Sequence, residues 1–206
     1  MRPEARGARI PRGAIVLLLS AIYAVNYIDR QILAIILEHI KHEFRVSDTL
    51  LGLLVGPAFA LFYATLGMPI ALAADRMSRS RIIIASLACF SAMTLACGLV
   101  ARFWQLVVAR MLTGVGEAGT GPASQSIISD LYGPSERATA QAIYATGVNV
   151  GLMIAFFAGG WIADAYGWRA AFVAAGVPGL LLTLLAMAVL RDPPRPAPVQ
   201  SPSPTA

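Results

Sequence analysis

Six apolar blocks follow one another along the chain, at about residues 14–37, 50–74, 82–101, 104–131, 138–163 and 170–190. Each has the ~20 residues a helix needs to cross about 30 Å of hydrocarbon. The second, fourth and fifth are long enough to tilt or protrude. A soluble bundle is excluded, because its helices would carry polar faces. A membrane barrel would need alternating segments of about ten residues, and none is present. Composition agrees: 57% of the residues are hydrophobic and 13% charged, about half the charged share of a soluble domain. The expected fold is an all-α membrane protein with a six-helix transmembrane domain over 14–190. A basic tail (1–13) precedes it, and a Pro-rich tail expected to be disordered (191–206) follows.

The first block is retained rather than cleaved. Arg2, Arg6, Arg9 and Arg12 precede it as in a signal peptide, but it is too long and has no small-residue cleavage site. Basic residues set the orientation. They gather in the N-terminal tail, at Arg76, Arg79 and Arg81, at Arg137, and at Arg191 and Arg195. The alternate loops hold Lys41, Arg45, Arg102 and Arg169. Both termini are therefore expected on the cytoplasmic side of the membrane. The net charge of +5 is this topogenic signal plus arginine in the membrane, so a nucleic-acid partner has no support.

Cys89 and Cys97 read as small apolar residues of a lipid-phase helix. His39 and His42 in EHIKHE read as a solvated interface segment rather than a metal site. No metal or cofactor is called for. Gly114-Val-Gly-Glu-Ala-Gly119 fits G-x-G-x-x-G, but that fingerprint works only between a strand and a helix. Inside an apolar block it reads as close helix packing, as do Gly147-x-x-x-Gly151 and Gly52-x-x-x-Gly56.

The charges inside the blocks are different. Asp29, Arg30, Arg110 and Glu117 each cost roughly 2.5–3.5 kcal/mol near a helix centre on insertion scales. Neighbours on a helix point about 100° apart, so Asp29 and Arg30 cannot simply neutralise each other. Each needs a partner on another helix. Arg110 and Glu117 lie seven residues apart, two turns along one face of the fourth block. At about 1.5 Å per residue, Asp29 and Arg30 come roughly 20 Å in from the cytoplasmic side. Arg110 falls near that level, with Glu117 about 10 Å nearer the cytoplasm. Asp29–Arg110 and Arg30–Glu117 are both open as pairings. A purely structural salt bridge between helices one and four is the plainer reading. An ion or substrate pathway is the other, and the commoner role of such residues.

These residues carry a resemblance. ALAADRMSRSR resembles the cytoplasmic signature G-x-x-x-D-R-x-G-R-[RK] between helices two and three of the major facilitator superfamily. Asp75, Arg76 and Arg79 fall on its charged positions, and Ala71 and Ser78 replace its glycines. Arg110 falls on the family's fourth-helix Arg. NYIDRQIL, RMLTGVGEAGTGPASQSIISDLY and GGWIADAYGWRAAF with RDPPR resemble the bacterial spinster-like branch. The resemblance implies a proton-linked secondary transporter, not an enzyme. In it Asp29, Arg30 and Glu117 would face a central cavity and titrate, with Arg110 beside them and Asn26 and Gln125 as cavity-lining candidates. Asp75, Arg76 and Arg79 would form a cytoplasmic gate. Implied partners are protons, the bilayer and a small organic or lipid-like substrate. The family has twelve helices in two six-helix halves. A half-transporter pairing with itself or a second half, a truncated product, and a non-transporting scaffold or regulatory subunit are all open. A membrane enzyme has no nucleophile–base pair to support it.

Overall fold

The structure is a computed structural model, and it describes residues 10–56, 65 and 77–192. Most of the second apolar block, with Asp75 and Arg76, lies outside the described residues. The described helices are α1 (Arg12–Phe44), α2 (Asp48–Val55), α3 (Arg79–Cys97), α4 (Phe103–Ala118), α5 (Thr120–Leu131), α6 (Pro134–Ile154), α7 (Gly160–Tyr166) and α8 (Trp168–Val189). A π-helical turn, Ala155–Gly159, joins α6 to α7. Among the described residues, four continuous helical stretches are long and apolar enough to cross a membrane: Arg12–Phe44, Arg79–Cys97, Pro134–Tyr166 and Trp168–Val189.

Local chemistry explains the boundaries. Ser47 caps α2 and Ser78 caps α3, each side chain accepting a backbone N–H of the first turn. Pro134 opens α6 at the position where its missing N–H matters least. Gly167, at φ +86°, makes the sharp turn into α8 in a region that side chains disfavour. The fourth apolar block was expected to run unbroken, and it does not. Pro122 has no N–H to donate to Ala118, and its ring crowds that carbonyl. The helix stops at Ala118, turns at Gly119 and restarts at Thr120.

Helix α1 is the axis of the bundle, with α6 and α8 packed along it, while α3 packs against α4 and α8. Small residues permit these approaches. A Cβ on Gly151 would lie 2.5 Å from the Ala24 carbonyl oxygen, and one on Gly147 would collide with that of Ser20. A Cβ on Gly116 would lie 2.5 Å from the Phe90 backbone nitrogen. The close packing expected of these glycine pairs is present for one and finds no partner among the described residues for Gly52 of the other. Gly147 and Gly151 serve packing against α1 of the same chain, which leaves that face unavailable for association. Gly52 is exposed, and nothing among the described residues lies against it.

The core of the described residues falls into two apolar clusters. One holds Val16, Leu19 and Ile22 of α1 with Ile83, Leu87, Phe90, Ile127, Tyr144 and Leu190, at the end where α1 begins and α8 finishes. The other holds Ile32, Leu33, Ile36 and Ile40 with Leu54, Cys97, Leu106, Ala155 and Phe172. Between them runs a buried polar belt of Asn26, Asp29, Ser91, Thr94, Arg110, Thr113, Glu117 and Thr120. The outside is apolar, with Leu17, Phe157, Trp161, Leu181 and Met187 mostly exposed. That is the inversion expected of a bundle whose solvent is lipid.

Candidate functional site: two ion pairs in a polar belt

Helical geometry sends Asp29 and Arg30 of α1 in different directions, and each finds its own partner. Arg110 of α4 donates from Nη1 to Asp29 Oδ2 at 2.5 Å, and the Thr94 hydroxyl donates to Oδ1 at 3.0 Å. Both charged side chains are sealed, at 0% exposure for Asp29 and 3% for Arg110. Arg30 grips Glu117 with two nitrogens, Nε to Oε2 at 3.0 Å and Nη2 to Oε1 at 2.8 Å. This pair is open on one side, since Arg30 is 33% exposed and Glu117 5%. Both pairings that the sequence left open are present together. The belt satisfies its acids with forked or multiple donors, which a buried carboxylate requires.

The open pair borders a cleft of about 310 Å³ lined by Tyr23, Asn26, Tyr27, Arg30, Glu117, Thr120, Gln125 and Tyr144, among others. Tyr23 stacks on Tyr144 at 4.7 Å between ring centres and meets Tyr27 edge-on at 5.1 Å. The Arg30 guanidinium lies over the Tyr27 ring at 5.6 Å. Asn26 and Gln125 both line this cleft, Asn26 from a buried position and Gln125 from an exposed one. A larger groove of about 500 Å³ between the starts of α1 and α6 holds none of these belt charges. The belt cleft is therefore the candidate site.

Arg79 stands apart from it, at the start of α3. It pairs with Asp130 at the end of α5 and donates to Ser126 Oγ at 3.0 Å. The Asp192 carboxylate accepts the Ser80 backbone N–H at 2.7 Å, so the second residue of the expected tail is tied to the start of α3. Burial acts to raise the Asp192 pKa, but hydrogen bonds from Ser78 and Ser80 and the charge of Arg79 outweigh it and lower the group.

At the opposite end Glu43 accepts from Trp168 Nε1 at 2.7 Å and pairs with Arg169 at 2.7 Å. Arg169 also donates to the Val100 carbonyl at 3.0 Å. His39 contacts Asp164 and His42 contacts Glu38. Among the described residues no group of three or more His, Cys, Asp or Glu is arranged to hold a metal.

Sequence reasoning missed Thr94, Thr120 and the three tyrosines of the cleft. Hydroxyls in apolar helices usually bond their own backbone, as Thr113 does to Ala109, so nothing in the pattern marks out Thr94, which donates across to Asp29, or Thr120, which bonds its own backbone and also accepts from Asn26. Asp130 was missed as the partner of Arg79, although it sits at the end of a block where an unpaired acid stands out.

The family model of the Major Facilitator Superfamily matches residues 19–206. The chain belongs to that superfamily. Among curated relatives, an MFS-type efflux pump of Mycolicibacterium smegmatis is 30% identical over 84% of this chain and 40% of its own length. Protein spinster homolog 1 of Mus musculus is 31% identical over 88% of this chain and 35% of its own length. Among solved structures, an inward-facing, unoccupied bacterial homologue of the human lysosomal transporter Spinster superposes with a TM-score of 0.83 at 36% identity. It covers 96% of this chain and 47% of that one. The chain is thus a spinster-like superfamily member matching the N-terminal half of these transporters, an integral membrane protein of a family of transporters rather than enzymes. It spans about a third to a half of the length of the proteins it matches.

Proposed function

We propose that this chain supplies half of a proton-coupled secondary transporter for a small organic or lipid-like substrate. In this reading it lies in a bacterial inner membrane with both termini cytoplasmic, as the arginine distribution favours. Asp29, Arg30, Arg110 and Glu117 form the coupling site, and Asn26 and Gln125 face the substrate. Arg79, with Asp75 and Arg76, acts at the cytoplasmic gate, and the opposite cavity wall comes from a second six-helix half or a second copy. One observation carries the reading. Of two adjacent buried ion pairs, Asp29–Arg110 is closed on all sides, while Arg30–Glu117 opens onto a polar cleft.

The chemistry follows from that asymmetry. A charged pair in a low-dielectric belt is held by mutual attraction and by its hydrogen bonds. If a helix movement parts such a pair, the carboxylate loses its counter-charge and takes up a proton. Glu117 has the access for this exchange, because the cleft reaches its pair. Asp29, two-fold hydrogen-bonded and enclosed, keeps α1, α3 and α4 in register while Glu117 exchanges.

The test is uptake into proteoliposomes under an imposed pH gradient, with the chain alone and with a co-expressed second half. A fluorescent lysophospholipid serves as the lipid-like probe. Labelled galactarate serves as the organic one, chosen because a 28%-identical relative from Bacillus subtilis is a probable galactarate/D-glucarate transporter. Glu117→Gln should abolish gradient-driven accumulation and leave exchange intact. Full gradient-driven uptake in both Glu117→Gln and Asp29→Asn would reduce the two pairs to structural salt bridges. No uptake of either probe in any combination would favour a scaffold or regulatory role.

A further inference from the structure

Glu117 is held to α1 twice, and only one of the two attachments carries charge. The Arg30 guanidinium holds its carboxylate. Its main chain is held by a second route. The Glu117 carbonyl, at the end of α4 where Pro122 breaks the span, accepts the Thr120 hydroxyl at 2.9 Å. The Thr120 oxygen in turn accepts Asn26 Nδ2 at 2.8 Å. The order of donors is fixed: the single Thr120 proton goes to the carbonyl, so only the lone pairs remain for the Asn26 amide. Asn26 lies four residues before Arg30, one turn along the same face of α1. It is 1% exposed, and its Oδ1 has no hydrogen-bond partner, so its burial is compensated through Nδ2.

We propose that Asn26 is a positioning residue which, through Thr120, pins the main chain of Glu117 to α1 independently of protonation. The inference rests on the proton-coupling reading above. Neither an amide nor a hydroxyl titrates in the working range, so this tie persists when the ion pair is released. A freed Glu117 carboxyl then swings from a fixed point and meets Arg30 again in the same geometry. Without the pin, the interrupted span has a loose end at its functional residue. The helix break would then spoil the register on which the pair depends.

The titratable and charged groups around the Glu117 carboxylate are Tyr23, Tyr27, Asp29 and Arg30 from α1, Arg110 from its own helix and Tyr144 from α6. None of them is changed by the variants that test the pin. The measurement is the infrared carboxyl band of the full chain in lipid nanodiscs across a pH series, assigned by its loss in Glu117→Gln. Asn26→Ala and Thr120→Val should each move the midpoint of that band by about one pH unit, because a loosened Glu117 meets Arg30 less closely and its ionised form loses part of that charge partner's support. Thr120→Ser keeps the hydroxyl and should restore the parent midpoint. Leu19→Ala, which only removes packing in the apolar cluster beyond the belt, should lower the melting temperature and leave the midpoint in place. A parent midpoint retained in both Asn26→Ala and Thr120→Val overturns the pin while leaving proton coupling intact. A parent with no titrating Glu117 band overturns both.

Discussion

Asp29–Arg110 and Arg30–Glu117 begin at adjacent residues of one helix and join the same two spans, yet they meet opposite surroundings. Roughly 100° of helical rotation turns Asp29 into the bundle, where α3 and α4 close over it, and turns Arg30 to the rim of a cleft. The enclosed pair has a hydroxyl as a further donor and no route to solvent. The open pair has a forked contact, a third of its arginine exposed and a tyrosine wall. The same chemistry thus supports two tasks, and burial separates them: one pair fixes helix register, and the other is placed to exchange.

The largest expected effect tests the enclosed pair. Removing one partner of a buried ion pair leaves an uncompensated charge, which costs about 3–5 kcal/mol. Arg110→Ala or Asp29→Ala should therefore sharply lower the melting temperature in detergent, and Asp29→Asn with Arg110→Gln should recover much of the loss. Glu117→Gln should cost less than either, because Arg30 can turn to the cleft for solvation. Equal losses in Arg110→Ala and Glu117→Gln would erase the distinction between the pairs.

A second effect, smaller and steric, acts on the frame that aligns them. Gly116 lies on α4 between Arg110 and Glu117, and any Cβ there would meet rigid backbone of α3 at 2.5–3.0 Å. Gly116→Ala should push α4 from α3 at a cost of about 1–3 kcal/mol. The enclosed pair should suffer first, because it has no slack, so Gly116→Ala and Asp29→Asn should be less than additive in thermal unfolding. Full additivity would mean that α4 shifts without straining the pair.

Much of this is legible in the sequence. Six blocks give the membrane class, and two charged residues in each of two blocks demand cross-helix partners. Depth arithmetic kept both pairings open, but the choice between a sealed and an accessible pair depends on which neighbours close over each, and no period in the sequence records that. The break in the fourth span was legible and was passed over: Gly-Pro at 121–122 interrupts the helical ladder whatever the surroundings. Small-residue spacing announced close packing at Gly147 and Gly151 but not its partner, because the same pattern serves contacts within a chain and between chains. The tie of Asp192 to α3 hid in a tail whose proline content suggested disorder.

The smallest expected effect provides an ion pair in water as a reference for the other two. Helix α1 is about 50 Å long at 1.5 Å per residue, so with the first apolar block across ~30 Å of hydrocarbon its last turn stands clear. There the Arg169 hydrogen bond holds the Glu43 carboxyl below its ordinary range, with Trp168 assisting and partial burial opposing. For a depressed carboxylate the linked stability is present above the unfolded-state pKa and is lost as pH falls through the folded-state value. The side chains are 42% and 38% exposed, so solvent screens the pair and its worth is at most about 1 kcal/mol. Glu43→Gln should therefore lower the melting temperature slightly at neutral pH, by progressively less as pH falls below the ordinary glutamate range, and molar salt should shrink the difference further. Arg110→Ala should keep its neutral-pH deficit in molar salt, because salt does not reach the sealed pair. If salt relieves Arg110→Ala as readily as Glu43→Gln, then Asp29–Arg110 is reached by solvent and the contrast between the two buried pairs is lost.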